Sequence, residues 1–188
     1  TGVALAGLDA EIFRNDSIQT STSWDTLDYS FGGTWVKEVA QIGNIIFAVG
    51  SNQWLSLDRG YSWQILPPAD ELHGDADISF APQSTRAIVC GPGDPTQIGF
   101  ARYTADLGQT WSPRTMSAPV PMRTALMVND TLGYVAGGDA SQPRGQIWRT
   151  NNGGESWELA LETDCEFTEL AMSRESGAYV NIIAAGFY

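Results

Sequence analysis

An all-β repeat fold is predicted for this chain of 188 residues by three observations. An eight-residue pattern recurs three times, each copy follows the same pair of strand-like segments, and the composition favours short strands joined by tight turns. Ser56-Leu57-Asp58-Arg59-Gly60-Tyr61-Ser62-Trp63, Thr104-Ala105-Asp106-Leu107-Gly108-Gln109-Thr110-Trp111 and Thr150-Asn151-Asn152-Gly153-Gly154-Glu155-Ser156-Trp157 all read S/T-x-D/N-x-G-x-S/T-W. Counting Trp24 as an earlier, degenerate copy, the closing tryptophans lie 39, 48 and 46 residues apart. A period of about 40 to 50 residues is the mark of propellers and repeat arrays. The 20 Gly, the 7 Trp and an apolar fraction of 43% fit such a chain and not a disordered one.

Each copy has the same upstream context. Ile45 to Gly50, Ala87 to Gly91 and Gly133 to Gly137 are apolar runs ending in Gly, and each is followed by a more mixed segment, Trp54-Leu55, Phe100 to Tyr103 and Ile147 to Arg149. A continuous apolar run suits a strand covered on both faces, and a mixed one suits a position nearer the outside. The eight-residue pattern then reads as the hairpin loop after the mixed strand. Asp or Asn accepts hydrogen bonds from turn N–H groups, and Gly supplies the positive φ that closes the loop. The Ser or Thr hydroxyl adds a local bond, and Trp folds back as an apolar lid. Ser56, Asp58, Gly60 and Trp63, Thr104, Asp106, Gly108 and Trp111, and Thr150, Asn152, Gly154 and Trp157 are therefore expected to build turns.

The repeat units predicted from this pattern are 1–33, 34–75, 76–123, 124–165 and a partial 166–188, within a single domain over 1–188. In the first unit Val3 to Gly7 and Glu11 to Asn15 match the two strands, and Asp16 to Ser23 stands in place of the box before Trp24. A rival register would use Asp28 to Trp35, but it leaves too short a connection to Ile46; Thr34 to Val39 reads better as the innermost strand of the next unit. At the other end, Glu166 to Met172 and Tyr179 to Gly186 match an inner strand and an apolar second strand with no box after them. About four repeats with incomplete terminal blades leave three arrangements open: a small closed ring, a fragment of a larger ring, or strand sharing between molecules, a route to a homo-oligomer.

These motifs resemble the Asp-box, or BNR, repeat of sialidases, sortilin-type receptors and photosystem II assembly-factor propellers. The resemblance covers nearly the whole chain and implies a β-propeller with its boxes on the outer rim. It implies little about function, because the same hairpin serves enzymes, receptors and assembly factors. Phe13-Arg14 is similar to the start of the Phe-Arg-Ile-Pro motif of sialidases, but Asn15-Asp16 departs from it, and that family's arginine triad and catalytic residues are not matched. A glycosidase of another kind needs two carboxylates about 5 to 10 Å apart, and nothing singles out a pair among 22 acids.

The net charge of −12 opposes binding to nucleic acid and to anionic membrane surfaces. No apolar run reaches membrane-spanning length, so membrane insertion is not expected. Cys90 and Cys165 make no disulfide framework and are expected as buried thiols, with a single bridge between them as the alternative. Asp70, Glu71, His73, Asp75 and Asp77 form an oxygen-rich stretch with the one His of the chain; such a stretch can hold Ca²⁺, but its spacing matches no EF-hand. A second acidic stretch, Glu162, Asp164, Glu166 and Glu169, is expected to face solvent. No cofactor is implied. The functional expectation is a non-catalytic binding or assembly module, extracytoplasmic, whose face loops meet a protein or a glycan. The assembly-factor resemblance, densest over Gly145 to Trp157, favours protein. The alternatives are a carbohydrate-active or lectin-like propeller, in which Tyr29, Trp54, Phe100, Tyr103 and Trp148 would share an open groove, and a subunit of an extracellular polymer.

Overall fold

The computed structural model describes residues 2–6, 11–15, 24–30, 36–50, 52–66, 77–92, 98–139, 141–142, 144–174 and 180–187. Contacts divide the chain into two compact units, Thr1–His73 and Gly74–Tyr188. Every described element is a β-strand, and every pairing is antiparallel.

The first unit holds two sheets. Strands β1 (Gly2–Ala6), β2 (Glu11–Asn15) and β3 (Asp25–Ser30) form a three-stranded sheet in chain order. β3 starts directly after Trp24, as expected if Trp24 closes a degenerate box; residues 16–23 lie outside the described set. Strands β4 (Val36–Ile42), β5 (Ile45–Gly50), β6 (Gln53–Ser56) and β7 (Gln64–Ile65) form a four-stranded meander. Ile46 to Val49 are buried, as are Trp54 and Leu55 of β6. Ala48 lies opposite Trp54, a small residue making room for a large one.

The second unit repeats the meander. Strands β8 (Asp77–Phe80), β9 (Ala87–Gly91), β10 (Gly99–Thr104) and β11 (Met116–Ala118) form one sheet, and β12 (Met122–Met127), β13 (Gly133–Asp139), β14 (Arg144–Thr150) and β15 (Glu158–Thr163) form the next. β16 (Glu166–Arg174) and β17 (Val180–Phe187) pair as a final two-stranded sheet. The unit boundary expected after residue 123 falls two residues inside β12, where a bulge sits between Met122 and Thr124.

The sheets of this unit pack face to face over apolar side chains. Ile88, Cys90, Ala101, Met116, Met122 and Val135 share one cluster, with Tyr103, Trp148 and Trp157 against it. Ala136, Phe167 and Leu170 form a second, flanked by Leu126, Ile147, Cys165 and Ile182. Both cysteines are free; Cys90 is fully buried, and Cys165 is only half-buried in the turn after β15. The first strands of successive sheets are also stitched by polar bonds. The Ala125 N–H donates to Asp77 Oδ2 at 2.8 Å, the Met127 N–H to Ser79 Oγ at 2.9 Å, and the Leu170 N–H to Thr124 Oγ1 at 3.2 Å. Backbone donors that no strand pairing satisfies thus find partners across the sheet junction.

Candidate functional site

Each meander presents two kinds of end. One carries the eight-residue box, joining the third strand to the fourth, together with the turn between the first two strands. The other carries the turn between second and third strands and the connection to the next sheet.

At the box end the hydrogen bonding is the same three times. The N–H groups of Gly60, Gly108 and Gly154 donate to the hydroxyls of Ser56, Thr104 and Thr150 at 2.7, 2.9 and 2.9 Å. Those hydroxyls donate in turn to Asp58, Asp106 and Asn152. The N–H groups of Ser62, Thr110 and Ser156 close the loop on the same three side chains at 2.8, 2.8 and 2.9 Å. In the first two boxes the Ser62 and Thr110 hydroxyls donate to the second carboxylate oxygen. In the third that bond is reversed, with Asn152 Nδ2 donating to Ser156 Oγ. Gly60, Gly108 and Gly154 have φ of 87°, 77° and 98°, the left-handed conformation expected of them.

The residue before each of these glycines is left-handed too: Arg59 at 64°, Leu107 at 60° and Gly153 at 71°. Two consecutive positive φ values turn its N–H outward, where it donates to the first turn of the same sheet. The acceptors are the carbonyls of Asn44, Thr85 and Thr131, at 2.8, 3.1 and 2.7 Å. The sequence pattern did not reveal this bond, because its acceptor is a backbone carbonyl in a different turn, which no side-chain pattern marks.

These bonds shift the box carboxyls. The Ser62 hydroxyl is the main influence holding Asp58 below its ordinary range, with the Ser62 N–H and Ser56 adding to it. At Asp106 burial is the largest single influence and acts upward, but the bonds from Thr110 and Thr104 outweigh it and the carboxyl is lowered. The tryptophans differ. Trp63 is half-buried and its Nε1–H donates to Gly60 O in its own hairpin at 3.0 Å, whereas Trp157 packs into the cluster shared with the preceding sheet and donates to Thr115 Oγ1 at 3.1 Å. Trp157 thus reaches the neighbouring sheet, a contact that the repeat pattern alone did not indicate.

At the opposite end of the second unit lies a polar network. Arg123, at the β12 bulge, pairs with Glu166, which is 4% exposed. Arg144 Nη2 reaches Glu162 Oε2 at 2.9 Å, Gln146 Nε2 donates to the same oxygen, and Trp148 Nε1–H donates to Gln146 Oε1 at 3.0 Å. Gln146, then Arg144, lower the Glu162 carboxyl; Asp139 is lowered chiefly by the Ser141 hydroxyl. The expectation that Glu162 to Glu169 simply face solvent is therefore corrected at Glu166, which sits under a cationic partner. Only a contact 43 residues away separates its role from that of exposed Glu169.

Among the proposed Ca²⁺ residues, Asp70, Glu71, His73 and Asp75 lie outside the described set. Asp77 uses one carboxylate oxygen on the Ile78 N–H and the other on the Ala125 N–H, both at 2.8 Å. Among the described residues no three His, Cys, Asp or Glu side chains gather as metal ligands. Of the five aromatic residues expected to share an open glycan groove, the side chains of four are described, and each is covered within its own unit. Trp54 and Phe100 are buried, Tyr103 lies beneath the Arg86 guanidinium at 5.3 Å, and Trp148 packs into the core; the side chain of Tyr29 lies outside the described set.

Repeated four-stranded antiparallel meanders, each closed by the same kind of box, match solved structures of known propellers. YCF48 bound to D1 peptide aligns over 81% of this chain with a TM-score of 0.51 and 17% identity. YCF48 from Cyanidioschyzon merolae aligns over 81% with 0.53 and 15%, and a point mutant of NanB sialidase from Streptococcus pneumoniae over 95% with 0.58 and 12%. The fold is an Asp-box β-propeller. The chain spans 54%, 57% and 32% of the lengths of those three structures. No family model matches the sequence, and no curated protein does. The three-stranded first sheet and the two-stranded last sheet are the incomplete terminal blades expected from the repeat pattern, among the described residues.

Proposed function

We propose that this chain is a non-catalytic binding module that meets a protein partner through the loops opposite its boxes, in an extracytoplasmic setting. The observation that carries this reading is the disposition of the chain's polar and aromatic groups. The box carboxylates and carboxamide are occupied by their own hairpins, and Trp54 and Phe100 are occupied by the core. Neither set is available as a sugar platform or a catalytic pair. At the other end Arg144 and Glu162 are exposed, with Asp139 half-buried beside them, and none of the three serves a box. YCF48, solved with a D1 peptide bound, supports a peptide-binding use of this scaffold. The net charge of −12 favours a partner segment rich in Lys or Arg, through faster encounter and complementary contacts.

Selection of a displayed random-peptide library against the full chain tests the reading. A consensus carrying basic residues is expected, and its synthetic peptide should bind more weakly as salt rises. Arg144→Glu and Glu162→Lys should change that affinity, while Asp106→Asn at the box end should not. Binding to neutral oligosaccharides without any peptide consensus would replace this reading with the lectin-like one.

A further inference from the structure

We propose that Arg86 is a strap that holds the third box against the preceding sheet, so that the order of segment 151–157 depends on its neighbour as well as on its own hairpin. The register of the sheets gives the argument. Asn44, Thr85 and Thr131 occupy the same place, accepting the N–H of the box in their own sheet. The residues that follow them are Ile45, Arg86 and Leu132, and only Arg86 is charged. The sixth box residues are Tyr61, Gln109 and Glu155, and only Glu155 is charged. The single cation and the single anion at these two repeat positions meet at one junction.

The contacts there suit a guanidinium. Its Cζ lies over the Tyr103 ring at 5.3 Å from the centroid, Nη1 donates to Gly153 O at 3.2 Å, and the same nitrogen is 3.8 Å from Glu155 Oε1. The box has closed in to meet it. A Cβ on Gly153 would lie 2.4 Å from Arg86 Nη1 and 2.5 Å from Asp130 O, and one on Gly154 would lie 2.9 Å from Tyr103 Cβ. Gly153 stands where the other boxes carry Arg59 and Leu107, so this box alone gives up a side chain to admit the strap. The Trp157 bond to Thr115 anchors the far end of the same segment to the same neighbouring sheet.

Hydrogen exchange read by mass spectrometry on the full chain tests the strap, with the second box as an internal reference. In R86A the amides of 151–157 should exchange about tenfold faster or more, with those of 105–111 unchanged. R86K, which keeps the charge without the planar fork, should be intermediate. An equal rise in both boxes, an unchanged rate in 151–157, or full protection in R86K would overturn the proposal. Should R86A fail to fold, E155Q takes its place: a rise confined to 151–157 supports the strap, and no rise overturns it.

Discussion

Asp58 and Asp106 do the same work as Asn152, but only the first two can lose a charge. Both carboxyls are held below the ordinary Asp value of 3.8 by bonds that exist only in the folded hairpin. A lowered folded pKa means that the stabilisation is fully present above the unfolded value and is lost as pH falls through the folded one. The first two boxes should therefore loosen below about pH 3.8, while the third, built on a carboxamide, should not respond directly. Exchange rates of the three box segments compared between pH 5 and pH 2.5 in a chain carrying E155Q, which removes the Arg86–Glu155 pair from the comparison, and corrected for intrinsic rates, would show this; parallel behaviour of all three would refute it. Asp106→Asn should then cost under about 1 kcal/mol, since the third box shows that a carboxamide fits. Gly108→Val is different in kind. At φ 77° a β-branched residue is strained by about 1 to 3 kcal/mol, measurable as a lower urea midpoint. These roles were legible in the sequence because each side chain acts within its own eight residues. The consecutive left-handed residue before Gly was not, since Arg59, Leu107 and Gly153 share no chemistry, only a backbone shape imposed by a carbonyl in another turn.

At the scale of the strand, the apolar runs ending in Gly were read correctly as second strands because burial on both faces removes the polar alternation that other strands keep. β9 is buried throughout and β5 from Ile46 onward, while β17, of similar composition, exposes Ile183 and Phe187 because the second side of its sheet has no strand among the described residues. The junctions between sheets were not legible. Asp77, Ser79 and Thr124 look like ordinary polar residues of alternating strands, and their acceptor roles depend on donors 46 to 48 residues away. Thr124→Val keeps the shape and removes the acceptor, leaving the Leu170 N–H unsatisfied in a buried place. It should cost about 1 to 3 kcal/mol. Trp111→Ala should cost about 2 kcal/mol and not the larger value of a fully buried indole, because Trp111 is half-buried. Urea unfolding of both variants decides each case, and a loss below about 0.5 kcal/mol for Thr124→Val would mean that water replaces the lost acceptor.

At the scale of the molecule, the balance of charge acts on stability in a direction opposite to that of its ion pairs. Ten basic residues face 22 acidic ones, so the folded chain concentrates a net charge of −12 that the unfolded chain spreads out. The pairs Arg144–Glu162 and Arg149–Glu158 lie on the surface, with both partners substantially exposed, and such pairs contribute little. Screening therefore removes more repulsion than attraction. Raising NaCl from about 0.01 M to 0.15 M shortens the Debye length from roughly 30 to 8 Å, so exposed charges farther apart than that are largely screened. The urea midpoint should rise over this range with the slope of the transition unchanged, because no additional surface is buried. Because the chain has two compact units, tryptophan fluorescence and far-UV circular dichroism should be followed together to reveal separate transitions. A midpoint that falls with salt would show that paired charges such as Arg123–Glu166 and Arg86–Glu155 outweigh the net repulsion, and a second midpoint that alone is insensitive would place the excess charge in one unit.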